Sequence, residues 1–204
     1  MKLKFCGFRY REDIEKALTC DIDYLGLIFA RSKRQVDMNT ARDITEGLEL
    51  GKVRLVGVFM DQSVEEVVDT ADYVGLDIIQ LHGSEDQNYI LEMRKRTDRE
   101  IWKAIPCTIE KLKEFNEIDA DLMLIDSSRG GGSGVTADWN LISKYEETFN
   151  KPYLLAGGLG VDNVEEAMNH LKAYGLDISS GIEKDGRKDM ELMKNICRTV
   201  RNYG

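Results

Sequence analysis

The stretch LMLIDSSRGGGSG, residues 122–134, is the part of the chain that decides the fold. It begins with a short apolar run, residues 122–125, which is typical of a buried strand in a parallel sheet. The run ends on Asp126, and a loop with glycines at positions 130, 131, 132 and 134 follows it. A carboxylate at the carboxyl end of such a strand, beneath a glycine-rich loop, indicates a proton-transfer group under a lid. The alternative is a strand-ending acid followed by a tolerant surface loop.

The same unit, a short apolar strand followed by a helical stretch, recurs along the whole chain. The other predicted strands cover residues 3–6, 24–29, 53–59, 77–81, 101–105, 152–155 and 176–179. About eight strand–helix units predict a (β/α)8 TIM barrel, an α/β fold, with residues 1–204 as a single domain. A doubly wound open sheet is the alternative, although that architecture usually has fewer units.

Capping residues predict where several of the helices begin. A polar residue that can cap a helix is followed three residues later by an acid that can complete the cap. These pairs are Thr40 with Asp43, Ser63 with Glu66 and Asp162 with Glu165. Pro106 predicts the end of the fifth strand, because proline cannot donate to a ladder. The last helix is predicted from about residue 188.

Composition excludes several classes of partner and site. The net charge of −9 and the pI of about 4.9 argue against nucleic acid and anionic membranes as partners. No apolar run approaches the roughly 18 residues that span a bilayer, and the N-terminus is too polar for a signal peptide. The four cysteines, at positions 6, 20, 107 and 197, form no CxxC pair, and the chain has two histidines. We therefore expect a reduced, cytoplasmic protein with neither a disulfide framework nor a histidine-built metal site.

In a barrel of this kind the active site lies at the carboxyl ends of the strands. Cys6, followed by Gly7, ends the first strand, and Asp126 ends the sixth. A thiolate and a carboxylic acid across the barrel mouth can act as base and acid, although a lone cysteine is most often a small core residue. Arg9 favours the thiolate if it points inward, and it has no such effect if it points to solvent.

Anion sites are predicted at two other places on the same rim. Gly157 and Gly158 follow the seventh strand, and Ser180 and Gly181 follow the eighth. Exposed backbone N–H groups and nearby helix starts make these loops a phosphate site, whereas the alternative is plain turn glycines. The basic cluster Arg31, Lys33 and Arg34 follows the second strand. An arginine there can hold a carboxylate bidentately, and the alternative is a solvated face.

His82 ends the fourth strand, and its side chain fits a substrate contact as well as a structural hydrogen bond. The remaining cysteines fit structural roles, and His170 is expected on the surface of a helix.

Taken together, these segments resemble the phosphoribosylanthranilate isomerase family of tryptophan biosynthesis over essentially the whole chain. The matching segments are KFCG (4–7), GLIFARSKR (26–34), GVF (57–59), IQLHG (79–83), LIDSSRGGGSGVTADW (124–139), LLAGGLGVDNV (154–164) and DISSGIE (177–183). Each of these segments falls at the end of a predicted strand. No single segment is decisive, but all of them in order are highly specific.

The resemblance implies an Amadori rearrangement of N-(5-phosphoribosyl)anthranilate to 1-(2-carboxyphenylamino)-1-deoxyribulose 5-phosphate, without a cofactor. It implies that Cys6 is the general base for the C2′ proton and that Asp126 is the general acid for the ribose ring oxygen. It assigns Arg34 to the anthranilate carboxylate. The phosphate site would comprise Gly157, Gly158, Ser180 and Gly181, and Gly7 and His82 complete the predicted substrate contacts. The expected partner is a small phosphoribosyl substrate, and the chain is expected to be a monomer or a homodimer.

Two other readings remain open. Another phosphosugar barrel, such as a metal-dependent epimerase or an indole-glycerol-phosphate-synthase-like enzyme, would need more histidines or a catalytic lysine at a strand end. Lys4 and Lys103 instead lie inside predicted strands. A non-catalytic phosphosugar-binding barrel, or another aminoaldose-phosphate isomerase, is the remaining alternative, and the presence of both Cys6 and Asp126 argues against a non-catalytic protein.

Overall fold

Eight parallel strands close into a barrel in chain order in the computed structural model, which describes residues 1–127 and 136–203. The first strand pairs with both the second and the eighth, which closes the sheet. The strands are β1 (Lys2–Cys6), β2 (Tyr24–Ile28), β3 (Arg54–Phe59), β4 (Ile78–Leu81), β5 (Glu100–Pro106), β6 (Leu122–Asp126), β7 (Tyr153–Leu155) and β8 (Gly175–Ile178). This arrangement confirms the predicted (β/α)8 barrel.

A helix follows each strand and packs on the outside of the barrel. The helices are α1 (Arg11–Leu18), α2 (Met38–Thr45), α3 (Val64–Val74), α4 (Gln87–Arg94), α5 (Ile109–Lys113), α6 (Trp139–Tyr145), α7 (Val164–His170) and α8 (Met190–Asn202). Short 3-10 turns, Phe115–Glu117 and Glu146–Thr148, continue the fifth and sixth helical stretches. In the described ranges no helix has both the length and the apolar character needed to cross a membrane.

The predicted helix starts are right for one helix and wrong for two. Ser63 and Glu66 form the predicted capping box of α3. Thr40 does not cap α2, because Asp37 takes that position and its carboxylate accepts from the Thr40 N–H at 2.8 Å. Asp162 does not cap α7 either. That helix begins after Asn163, whose amide bonds the loop backbone instead of the helix.

The ends of two other elements also differ from the prediction. β5 continues through Pro106, which pairs in register with Asp126 of β6. The neighbouring β4 ends at Leu81, opposite Lys103, so no strand lies where the missing proline N–H would have donated. A two-stranded hairpin, β9 (Glu183–Lys184) and β10 (Arg187–Lys188), was not predicted and precedes α8. The last helix therefore begins at Met190, with Asp189 as its cap.

The core consists of two apolar layers separated by the sheet. The outer layer lies between the strands and the helices. The inner layer fills the barrel and includes Val56, Ile78, Trp102 and Leu124, at alternate positions of their strands. The same alternation brings polar side chains onto the inner face at the carboxyl end of the barrel, where the candidate site lies.

Candidate active site

A cavity at the carboxyl ends of the strands brings most of the predicted site residues together. The predicted residues that line it are Cys6, Arg31, Arg34, His82, Asp126, Gly157, Gly158 and Ser180. Gly7, Gly181 and Lys33 lie outside its described lining. Gln80 of β4 and Asp177 of β8 also line the cavity, and sequence reasoning did not identify them as site residues. Both occupy inward positions of their strands, so the period-two alternation of the strands was the signal that could have found them.

Cys6, the last residue of β1, is buried at the floor of the cavity. Burial raises the pKa of its thiol above the ordinary value, and the Asp177 carboxylate raises it further. Lys4 and Lys188 act in the opposite direction and lower the pKa, but their combined effect is smaller. Cys6 is therefore held as a thiol near neutral pH, and it must lose its proton before it can act as a base.

Lys4 and Asp177 form a buried ion pair beneath Cys6, with Lys4 Nζ 2.9 Å from the Asp177 Oδ1. Burial lowers the pKa of Lys4, but the Asp177 carboxylate and Cys6 outweigh burial and leave that pKa above its ordinary value. Lys4 stays protonated, so it is a permanent positive charge next to the sulfur.

Arg9 does not supply that charge. Its guanidinium donates to the backbone oxygens of Lys33 and Gly186, at 3.2 and 2.8 Å. It therefore joins the loop after β2 to the hairpin, and the cations that act on Cys6 are the two lysines described above.

Asp126, His82 and Gln80 form a chain of hydrogen bonds across the cavity wall. The Asp126 Oδ2 lies 3.2 Å from His82 Nε2, and His82 Nδ1 lies 3.1 Å from Gln80 Nε2. The other carboxylate oxygen of Asp126 accepts from the Ser127 N–H at 2.7 Å. His82 thus contacts Asp126 directly and also lines the cavity, so it has the geometry for both of the roles considered for it. His170 is exposed on α7, as predicted.

Arg34, in the loop after β2, lines the cavity and forms an ion-pair network with the hairpin. Its Nε and Nη2 donate to the two carboxylate oxygens of Glu183 at 2.7 and 2.6 Å. Buried Lys188 donates to the same carboxylate at 2.8 Å and to the backbone oxygens of Cys6 and Ser179. Burial raises the pKa of Glu183, but the hydrogen bonds and charges of Arg34 and Lys188 outweigh burial and hold that pKa below its ordinary value.

Gly7 contributes space beside Arg34. Its φ of +84° belongs to the left-handed region, and a Cβ there would lie 2.5 Å from the Cδ of Arg34. Its N–H is occupied by the backbone oxygen of Gly26 at 2.8 Å. Gly7 therefore allows Arg34 to pass over β1.

The loops after β7 and β8 meet at the predicted phosphate site. Gly157 and Gly158 both have positive φ, and among the described residues neither donates its backbone N–H to a protein acceptor. Gly160 and Gly181 pair as an isolated bridge, and a Cβ on Gly181 would collide with the backbone oxygen of Leu159. Paired free N–H groups in such a turn form an anion-binding concavity. The prediction that a helix starts beside the loop after β8 and adds its dipole to the phosphate site is wrong. The hairpin separates this loop from α8.

The predicted glycine-rich lid, with glycines at 130, 131, 132 and 134, lies outside the described residues. Within residues 1–127 and 136–203, no group of three or more His, Cys, Asp or Glu side chains is arranged to hold a metal ion.

Comparison with known proteins gives one consistent result. A family model described as PRAI, N-(5'phosphoribosyl)anthranilate (PRA) isomerase, matches residues 3–199. The N-(5'-phosphoribosyl)anthranilate isomerase of Clostridium acetobutylicum is 38% identical over 207 residues, which cover 100% of this chain and 99% of that protein.

The phosphoribosyl anthranilate isomerase structure from Thermus thermophilus matches with a TM-score of 0.90 at 30% identity, over 100% of both chains. An isomerase solved in complex with reduced 1-(o-carboxyphenylamino)-1-deoxyribulose 5-phosphate matches with a TM-score of 0.85 at 29% identity, over 99% of each chain. The chain therefore belongs to the N-(5'-phosphoribosyl)anthranilate isomerase family, whose members are aldose–ketose isomerases of tryptophan biosynthesis.

Proposed function

We propose that this chain rearranges N-(5'-phosphoribosyl)anthranilate to 1-(o-carboxyphenylamino)-1-deoxyribulose 5-phosphate, with Cys6 as general base and Asp126 as general acid. One observation carries the proposal. A thiol and a carboxyl group line the same cavity as an arginine and residues of the two loops after β7 and β8. The arrangement provides an acid, a base and sites for the substrate's two anionic groups.

The two anionic groups of the substrate fix its direction in the cavity. The phosphate fits the loops of Gly157, Gly158 and Ser180, where backbone N–H groups that donate to no other described residue can bind it. The anthranilate carboxylate fits Arg34, whose Nη1 makes no hydrogen bond to another described residue. The ribose carbons then lie between these anchors, beside Cys6 and Asp126.

The acid must deliver one proton to the ring oxygen and the base must remove one from C2′ before the enol becomes a ketone. Asp126 gives its proton to the ribose ring oxygen, the bond from C1′ to that oxygen breaks, and the nitrogen lone pair forms a C1′=N bond. Cys6 as thiolate then removes the C2′ proton. The C2′–H electron pair forms a C1′=C2′ bond, and the C=N electrons return to nitrogen. The ketose forms when C1′ gains a proton and the C2′ hydroxyl loses one.

The structure weighs against a synthase mechanism that uses lysine. Lys4 is committed to Asp177, and Lys103 donates to Glu85 at 2.7 Å and to the Gly83 oxygen at 2.6 Å. A catalytic lysine must also reach the substrate, and neither Lys4 nor Lys103 lines the cavity. A non-catalytic phosphosugar-binding barrel would need the two anion sites but neither Cys6 nor Asp126.

The remaining expectations concern the protein as a whole. We expect a single domain that acts in the cytoplasm without a cofactor or a metal ion, as a monomer or a homodimer. Arg31 and Arg34 in the cavity lining provide a local positive site for a small anionic substrate, against the net charge of −9. Sedimentation of the full chain distinguishes the two oligomeric states.

A fluorescence assay tests the proposal. N-(5'-phosphoribosyl)anthranilate is generated in situ, its loss is followed with and without EDTA, and its spontaneous breakdown to anthranilate is subtracted. We expect saturable turnover that EDTA leaves unchanged. Saturable binding of the substrate without turnover would favour the non-catalytic protein, and loss of turnover with EDTA would contradict the metal-free mechanism.

A further inference from the structure

Gln80 is a buried polar residue in the cavity wall that the proposed mechanism does not use. It lies on the inner face of β4 and is 1% exposed. Its Nε2 faces His82 Nδ1, and its buried Oε1 has no hydrogen-bond partner within the described part of the chain. An unsatisfied buried amide oxygen is costly, so its presence next to the candidate acid requires an explanation.

The present orientation of the Gln80 amide defines one proton state of its neighbours. An amide nitrogen is a donor only, so His82 Nδ1 must accept and the imidazole proton must sit on Nε2. His82 Nε2 then donates to Oδ2 of Asp126, and the Ser127 N–H donates to Oδ1, so both oxygens act as acceptors, which matches an ionised carboxylate. This is the state of the His82–Asp126 pair after Asp126 has given up its proton.

The state with one additional proton requires the opposite amide orientation. If Asp126 carries the proton on Oδ2 and donates to His82 Nε2, the neutral imidazole keeps its own proton on Nδ1. If His82 is an imidazolium, Nδ1 again carries a proton. The other oxygen of Asp126 faces the Ser127 N–H at 2.7 Å, so the Oδ2 side is the favoured place for the acid proton. In both forms a protonated Nδ1 needs an acceptor, and among the described residues Gln80, whose amide faces Nδ1, can supply one through Oε1.

We propose that Gln80 is a positioning residue whose side-chain amide flips when the His82–Asp126 pair gains or loses a proton. Each proton state then has a matching hydrogen-bond partner on Gln80. This flip of the Gln80 amide breaks no other hydrogen bond, because His82 is the amide's sole hydrogen-bond partner among the described residues. The change of imidazole tautomer between turnovers uses solvent water, which reaches His82 because its side chain is 17% exposed. This inference rests on the proposed role of Asp126 as general acid.

Other charged groups around the pair are already committed to partners. Arg34 after β2 pairs with Glu183, Asp177 on β8 pairs with Lys4, and Lys103 on β5 pairs with Glu85. The remaining titratable or charged groups of the cavity lining are Cys6 on β1 and Arg31 after β2. None of these donates to or accepts from the His82 ring, so the ring nitrogens report on Gln80 and Asp126.

The chain has two histidines, which makes a spectroscopic test direct. Full-length protein labelled with ¹⁵N-histidine gives one pair of imidazole nitrogens for each residue, and His170→Asn assigns the exposed one. At about pH 9, where an ordinary histidine is neutral, the free protein should show His82 with its proton on Nε2. Two variants then alter the partner of Nδ1. Gln80→Glu presents only acceptor oxygens, and Gln80→Met has a similar size and makes no hydrogen bond.

We expect Gln80→Glu to place a proton on Nδ1 of His82, because the new carboxylate can only accept, and Gln80→Met to keep the proton on Nε2, where Asp126 still accepts it. In the fluorescence assay both variants should lose kcat by about tenfold or more, with KM changed by less than about threefold. A purely structural role for Gln80 would leave Nδ1 of His82 unprotonated in Gln80→Glu. That result, or kcat of Gln80→Met within about twofold of the parent, would overturn the proposal.

Two controls keep the outcome interpretable. Circular dichroism establishes that each variant is folded, and Gln80→Met decides the question alone if the new carboxylate prevents folding. The spectra need no substrate, so they test the coupling even if the proposed reaction fails. Turnover that survives in Asp126→Asn would refute the role of Asp126 as general acid. The spectra of the Gln80 variants would still give their own answer about the tautomer of His82.

Discussion

Arg34 and Glu183 form a two-point salt bridge across the mouth of the barrel, with Arg34 Nε and Nη2 donating to the two carboxylate oxygens. The bonds measure 2.7 and 2.6 Å, and both side chains are largely shielded from solvent, at 17% and 18% exposure. This geometry fixes the plane of the guanidinium and directs its remaining Nη1 edge away from Glu183. Glu183 therefore orients the arginine that we assign to the substrate carboxylate.

The first prediction concerns Glu183→Gln. Loss of the carboxylate frees the guanidinium to rotate, so we expect KM to rise about tenfold while kcat changes less than about threefold. Glu12→Gln is the matched control, because Glu12 meets Arg187 in an exposed pair at 3.4 Å. Steady-state kinetics of both variants check the prediction. A lower KM in Glu183→Gln would mean that Glu183 competes with the substrate carboxylate, and it would contradict the orienting role.

The second prediction concerns the ionisation of Cys6. Burial raises the pKa of Cys6 above the ordinary value, so the rate of its alkylation should keep rising with pH beyond the range in which an ordinary thiol ionises, about 8.5. Asp177→Asn should lower the pKa of Cys6, and Lys4→Met should raise it, because the two side chains act on the thiol in opposite directions. Alkylation of Cys6 by iodoacetamide, followed by mass spectrometry across a pH series, measures both shifts. Shifts in the same direction for the two variants would contradict this account.

The third prediction concerns the contact between the two glycine loops. A Cβ on Gly181 would collide with the Leu159 backbone, so Gly181→Ala must push apart the loops after β7 and β8. We expect the affinity for reduced 1-(o-carboxyphenylamino)-1-deoxyribulose 5-phosphate, here called the reduced product analogue, to fall about tenfold or more. A Cβ on Gly160 would lie 3.5 Å from its nearest neighbour, an ordinary contact, so Gly160→Ala is the matched control. Calorimetric titration of both variants checks the prediction, and equal affinities would remove Gly181 from the phosphate site.

The fourth prediction concerns the stability that Lys188 provides. Lys188 is 3% exposed and is a donor to Cys6 O, Ser179 O and the Glu183 carboxylate. Lys188→Met should therefore lower the free energy of unfolding by about 3–5 kcal/mol, because it leaves a half-buried carboxylate and two carbonyls without that donor. Urea denaturation measures the loss. Lys184→Met, at an exposed position of the same hairpin, should change stability by less than about 0.5 kcal/mol. Equal losses in the two variants would show that the network does not depend on Lys188.

The barrel and its catalytic rim were predictable because they follow from local patterns. Buried strands read as short apolar runs, and residues that end parallel strands, such as Cys6 and Asp126, must meet at one rim. The partners of these residues were not predictable in the same way. Gln80 and Asp177 are polar residues within strands, and an apolar run predicts the strand without showing what its inward polar residues contact.

The remaining differences have similar physical causes. The hairpin of residues 183–188 has strands of two residues each, too short for a detectable period. Thr40 and Asp37 can both cap a helix, and the choice between them depends on where β2 and its loop deliver the chain. Arg9 follows Cys6 closely in sequence, yet it contacts the loop after β2 and the hairpin, which sequence distance does not reveal.

The most direct test of the central claim is the turnover of Cys6→Ala and Asp126→Asn beside their affinity for the reduced product analogue. If Cys6 and Asp126 act as base and acid, each variant should lose kcat/KM by about two to four orders of magnitude. The analogue should still bind each variant within about fivefold of the parent, because the anion sites at Arg34 and the glycine loops remain. Turnover that survives in either variant, or affinity that collapses with turnover, would contradict the assignment of this acid–base pair.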